Sequence, residues 1–263
     1  MNKKIKNILE KKNKSKIVCL TAYSKNIAKI LDNYCDVILV GDSMANVLYG
    51  LKSTHKITLE NIIQHTLSVK MAIKKSLLVV DMPKNSYNNV KKAEKNAKLI
   101  IKTTGCDAVK IESNNKNFMI IEKLVKNKIF VMGHIGFTPQ FKKKFKVEGD
   151  TADEANKLIN EALLIEKAGA FAIVLECISP RTAKLITAKL KIPTIGIGSS
   201  SYCDGQILVT DDMLGISGFY PKFVKKYINL NRIIDKAVKK YTREVKLKKF
   251  PSINNFLNGT KRK

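Results

Sequence analysis

Eight short runs of β-branched and aliphatic residues recur along the chain, most of them separated by longer stretches with helical spacing. This alternation limits the fold more than any other feature of the sequence. The runs are Ile17 to Thr21, Val37 to Val40, Leu77 to Val80, Ala108 to Ile111, Ile129 to Met132, Phe171 to Leu175, Thr194 to Ile197 and Ile207 to Thr210. Each is of strand length, and strands that alternate with helices are the signature of a parallel sheet. Eight such units close the sheet on itself, so the expected class is α/β, a (β/α)8 TIM barrel.

Between the runs, Thr58 to Lys74, Asn88 to Thr104, Thr151 to Ala168 and Pro180 to Leu190 carry apolar residues at helical spacing with lysines opposite, as outer helices would. The punctuation agrees. Thr151 and Asp153 suit a helix start, Pro180 a first turn, and Gly105 and Gly169 helix ends. Ser199 to Asp204 is too short and polar for a crossover helix, so irregularity is expected between the last two strands. Residues 1–16 and 223–248 read as extra N- and C-terminal helical segments, and residues 256–263 as a tail. With no linker or internal repeat, 1–263 reads as one catalytic domain.

At 263 residues and 44% hydrophobic composition, the chain can bury a core of barrel size. No run approaches the roughly 18 consecutive apolar residues of a membrane helix, and no secretion signal opens the chain. A cytoplasmic protein without membrane partners is expected. The five cysteines lack CxxC spacing and read as buried thiols. The net charge of +27 points toward nucleic acid. Against that, it is almost wholly lysine, spread along the chain, whereas phosphate and base recognition favours the planar fork of arginine. No nucleic-acid partner is expected.

Polar residues interrupt the apolar alternation mainly at the C-terminal ends of the runs, where barrel active sites are built. They are Tyr23, Asp42 and Ser43 in VGDS, Asp81 in VVDMP, Lys110 and Glu112 in AVKIE, His134 in GHIGFTPQ and Glu176 in IVLEC. Strand side chains alternate, so Lys110 and Glu112 face one side and Val109 and Ile111 the other. Helices must cover the apolar side, which turns Lys110 and Glu112 inward. Asp42, Asp81 and Glu112 offer hard oxygen ligands suited to Mg²⁺, Ca²⁺ or Mn²⁺; the competing reading is that they cap the following helices. Glu176 ends an apolar strand, where burial would raise its pKa as a general base requires, unless a lysine pairs with it. His134, in a glycine-flanked turn, is either a donor to a substrate oxygen or structural. The glycines of IGIGSS fit no phosphate-loop pattern.

The blocks VGDSMANVLYG, VVDMP, VKIE, GHIGFTPQ, VLEC, IPTIGIGSS and DGQILVTDDMLG, in this order, resemble the ketopantoate hydroxymethyltransferase family, and the likeness runs from about Ile17 to Asn255. The resemblance implies a barrel of the phosphoenolpyruvate/pyruvate superfamily, one Mg²⁺ per subunit and a homo-oligomer, a decamer of five dimers. It implies transfer of a hydroxymethyl group from 5,10-methylenetetrahydrofolate to the 2-oxo acid 3-methyl-2-oxobutanoate through a Mg²⁺-stabilised enolate. The product is 2-dehydropantoate, in the first committed step toward pantothenate.

Carried over by position, Asp42, Asp81 and Glu112 bind metal, and Asp42, Ser43, Asp81, Lys110 and His134 hold substrate. Glu176 is the catalytic proton acceptor. The chain departs from the family pattern at Ser24, Lys84, Asp150 and Asp211, all outside the metal and base positions. A related lyase or phosphonomutase is the alternative within the superfamily.

Overall fold

The structure is a computed structural model, described here for residues 2–114, 117–142, 144–218 and 220–256. Residues 257–263, most of the segment read as a tail, lie outside the described residues.

Helix α1 (Lys3–Glu10) comes first, then β1 (Ile17–Thr21), α2 (Lys25–Leu31), β2 (Val37–Val40), α3 (Met44–Val47), α4 (Leu59–Lys70) and β3 (Leu77–Asp81). Then follow α5 (Val90–Thr104), β4 (Ala108–Glu112), α6 (Phe118–Lys126), β5 (Val131–Gly136), α7 (Ala152–Lys167) and β6 (Ala172–Glu176). The order closes with α8 (Pro180–Lys189), β7 (Thr194–Ile197), β8 (Gly205–Leu208), α9 (Thr210–Leu214) and α10 (Leu230–Lys246). The eight strands pair in sequence order, all parallel, and β8 returns to β1: a (β/α)8 barrel.

Strand alternation divides the core in two. Ile38, Val40, Leu78, Val80, Val109, Ile111, Ile173 and Leu175 pack with the outer helices. Ile17, Cys19, Val37, Leu39, Leu77, Val79, Ala108, Met132, Ala172, Val174 and Ile195 fill the interior together with Ile5 and Ile8 of α1, which plugs the N-terminal end. The interior series on β3 runs Leu77, Val79, Asp81, and on β4 Ala108, Lys110, Glu112. Period two therefore carries each strand from an apolar layer to a polar mouth.

Several boundaries differ from the sequence reading. Strand β5 begins at Val131 and runs through Gly136, so His134 lies within a strand and not in a turn. Gly133 and His134 look like breakers locally, but a Cβ on Gly133 would stand 2.6 Å from Ile165 Cγ2, so glycine there admits α7 close to the sheet. Strand β8 starts two residues early, at Gly205, because Ile17 pairs with Gly205, and Thr210 already opens α9. Helix α4 stops at Lys70, and α10 starts only at Leu230, where the Asn229 side chain accepts the Arg232 N–H. Helices α2 and α6 are short and escaped the periodicity. The connection from β7 to β8 has no helix, as its length requires. Thr151 caps α7, Pro180 opens α8 and Gly105 ends α5 in the left-handed region.

Candidate active site

All seven side chains selected as site residues line one cavity of about 880 Å³ at the C-terminal mouth: Asp42, Ser43, Asp81, Lys110, Glu112, His134 and Glu176. The strand register sets them side by side, since Asp81 pairs with Lys110, Glu112 with His134, and Gly136 with Glu176. Asp42 follows β2 at Gly41, where a Cβ would stand 3.0 Å from Ser43 Oγ and 3.4 Å from Asp81 Oδ2. Glycine there lets the β2 and β3 ends converge. The capping alternative fails: the helices after β2, β3 and β4 have Ser43, Asn89 and Asn117 at their N-cap positions.

The polar contacts form a continuous network. Lys110 Nζ donates to Asp81 Oδ1 at 2.6 Å, and the Asp42 amide donates to Asp81 Oδ2 at 3.0 Å. Gln140 donates from Nε2 to Asp42 Oδ2 and from its backbone to Glu112 Oε2, both at 2.9 Å. Tyr23 Oη and Ser43 Oγ share a hydrogen bond of 2.8 Å. His134 Nε2 lies 3.1 Å from Glu176 Oε2, and Nδ1 3.6 Å from Glu112 Oε1, but neither nitrogen makes a well-directed hydrogen bond. A buried imidazole so placed is open to a polar ligand from the cavity. No lysine forms an ion pair with Glu176 among the described residues; the titratable group beside it is this histidine.

Charge is unbalanced here. Burial, then the neighbouring Asp81, pushes Asp42 up to about 7, and burial pushes Glu176 up to about 8. Burial followed by Asp42 raises Glu112 well above the usual range for a carboxyl. Burial favours deprotonation of Lys110, but the charges of Asp81, Glu112 and Asp42 outweigh it and hold the ammonium. Burial, aided by Lys110, keeps His134 neutral. Four carboxyl groups therefore face one buried ammonium, Lys110, with Lys52 and Lys142 on the exposed part of the wall, an arrangement that a divalent cation would balance. Among the described residues no three His, Cys, Asp or Glu side chains form a preassembled metal cluster. Two aspartates with substrate or water oxygens nevertheless fit Mg²⁺, which takes one or two carboxylates and keeps open positions.

Comparison with known proteins decides the family. A model of the ketopantoate hydroxymethyltransferase family matches residues 2–253. The chain belongs to this family. A relative from Pelagibacter ubique, named 3-methyl-2-oxobutanoate hydroxymethyltransferase, is 52% identical over 252 residues, covering 96% of this chain and 98% of that one. A namesake from Anaplasma marginale is 48% identical, covering 94% and 90%. The fold is shared with a phosphoenolpyruvate phosphomutase from Streptomyces platensis, with a TM-score of 0.63, 12% identity, and 92% and 86% of the two chains covered. It is also shared with a phosphonopyruvate hydrolase solved with oxalate and Mg²⁺, with a TM-score of 0.60, 13% identity, and coverage of 96% and 93%. Like its ketopantoate hydroxymethyltransferase relatives, the chain is an enzyme, and no helix among its described residues is long and apolar enough to cross a membrane.

The four departures from the hydroxymethyltransferase pattern lie beyond the ends of β1, β3, β5 and β8, outside the cavity lining. Ser24 occupies the N-cap position of α2 without making a side-chain cap bond. The Lys84 ammonium lies 3.2 Å from both ring nitrogens of His55, a cavity residue. Asp150 is exposed just before α7, and Asp211 stands in the first turn of α9. None displaces a carboxylate or Lys110. Sequence reasoning gave no role to Gln140 or Tyr87, although Gln140 closes the GHIGFTPQ block. A glutamine within a loop carries no periodic or charge signal.

Proposed function

We propose that this chain transfers a hydroxymethyl group from 5,10-methylenetetrahydrofolate to 3-methyl-2-oxobutanoate, giving 2-dehydropantoate, the first committed step toward pantothenate. The observation that carries this reading is the excess of buried carboxyl groups over cations at the mouth of a barrel of this family. Asp42 and Asp81 would hold one Mg²⁺, with Glu112 beside them, and the carboxylate and ketone oxygens of the 2-oxo acid would complete the site. When bound, the cation acts as a Lewis acid on the ketone and makes the C3 proton more acidic.

Each residue then has a role set by its surroundings. Glu176, raised toward neutrality, takes the C3 proton as general base. Lys110, held by Asp81, offsets negative charge developing on the ketone oxygen. Ser43, oriented by Tyr23, and His134 donate to substrate oxygens. The cavity wall beyond them includes Phe137, Phe145 and Phe223, an apolar surface fit for the planar folate.

The chain would act in the cytoplasm as a homo-oligomer, in the family's decameric form. The apolar stripe of α10, with Ile233, Ile234, Val238, Tyr241 and Val245 all exposed, supports association between copies. The test is direct. Purified protein with Mg²⁺ and both substrates should form 2-dehydropantoate, and Asp81→Ala should abolish turnover; no product with any divalent metal would refute the reading.

A further inference from the structure

Gln140 sits in the loop after β5 and is 1% exposed, yet all three of its N–H donors and its amide oxygen bond to residues at the active-site mouth. Both amide N–H groups are used, one toward Asp42 Oδ2 at 2.9 Å and one toward the Met82 carbonyl at 3.0 Å. Its backbone N–H donates to Glu112 Oε2, and its Oε1 accepts the Tyr87 hydroxyl. Asp42 and Met82 with Tyr87 follow β2 and β3, and Glu112 ends β4. One side chain and its backbone thus join the ends of four neighbouring strands.

The partners leave the amide one orientation. Turned over, it would set Oε1 against a carboxylate oxygen and a carbonyl, both acceptors, and would face the Tyr87 hydroxyl with an N–H. Tyr87 is 2% exposed, its ring edge against Phe141, so its hydroxyl is fixed as well. The Gln140 backbone is equally constrained. Pro139 precedes it, His55 Nε2 stands 3.1 Å from the Pro139 carbonyl, and the Phe141 and Lys142 amides both donate to the Thr138 carbonyl. Gln140 can therefore hold Asp42 Oδ2 and Glu112 Oε2 at a set separation, committing one oxygen of each.

We infer that Gln140, with Tyr87 behind it, is a positioning residue that fixes the Asp42 and Glu112 carboxylates for a divalent cation. The inference rests on the reading of Asp42 and Asp81 as the cation's ligands. Outer partners that orient ligating carboxylates typically contribute 10- to 100-fold to metal affinity, because without them the ligands must be ordered at the moment of binding. Glutamine suits the role because it donates to two acceptors at once without adding charge.

The experiment is calorimetric titration of Mg²⁺ into the full-length protein held with 3-methyl-2-oxobutanoate, with the metal-free unfolding temperature measured alongside. Gln140→Leu should weaken Mg²⁺ binding about tenfold or more, and Tyr87→Phe, which removes one hydroxyl, about threefold to tenfold. KM for the 2-oxo acid measured at saturating Mg²⁺ should change less than the metal affinity in Tyr87→Phe. If Gln140→Leu fails to fold, Tyr87→Phe decides. Folded variants that bind Mg²⁺ within twofold of the parent protein would overturn the inference. Asp42→Asn is the control: if the parent and Asp42→Asn take up Mg²⁺ equally, the ligand assignment fails, whatever Gln140 does.

Discussion

The two ends of this barrel handle buried charge in opposite ways. At the N-terminal end, acids that precede strands meet lysines of the α1 segment pair by pair: Asp107 with Lys4, Asp36 with Lys11 at 2.6 Å, and Asp204 with Lys12 at 2.8 Å. Asp204 also accepts from the Thr194 amide, and Asp107 from the Leu78 amide, so these acids pin strand ends as well. At the C-terminal end, Asp42, Asp81, Glu112 and Glu176 share Lys110 and a neutral His134. Balanced charge closes the fold, and unbalanced charge leaves a demand that a ligand must meet. This matches the general division of barrels into a stability face and a catalytic face.

Breaking each end separately sharpens the contrast. Glu176→Gln removes the proposed base while keeping the shape, and kcat should fall by about 10²- to 10⁴-fold with little change in unfolding temperature. Asp204→Ala should do the reverse: leaving Lys12 buried without its acidic partner, with only the Thr187 carbonyl to accept from it, costs about 3–5 kcal/mol, read by denaturant unfolding, while kcat of the folded fraction stays near that of the parent. Lys110→Met should lower kcat by about 10²- to 10³-fold through loss of charge stabilisation at the ketone oxygen. Lys11→Ala breaks a partly exposed pair and should cost about 1 kcal/mol or less, with turnover unchanged.

The barrel was legible because parallel strands buried on both faces read as apolar runs, and the outer helices have one lysine-rich side. The mouth was legible because period two forces inward residues to lie in series, so Lys110 and Glu112 follow Ala108 without any structural knowledge. What stayed hidden depends on tertiary contact. Strand β5 looked too short because Gly133 accommodates a helix that the local sequence does not show. Gln140 and Tyr87 are far apart in the chain and meet only after closure of the barrel. Helix α10 was placed seven residues early because residues 223–229 share its lysine content without its hydrogen bonds.

The central claim, that the mouth carries uncompensated acid which a cation neutralises, is tested most directly by metal-free stability against pH. Asp42 and Glu176 titrate at about 7 and about 8 in the folded chain, against about 4 when unfolded. Between those values the folded state binds more protons at these two groups than the unfolded state, so the stability they contribute is fully present below about pH 4 and is lost as pH rises through 8. Mg²⁺ should reverse the decline, with an unfolding-temperature gain that grows from pH 5 to pH 8 and shrinks in Asp42→Asn. A metal-free unfolding temperature that is flat over this range, with no gain from Mg²⁺ at pH 8 in the presence of the 2-oxo acid, would contradict the account.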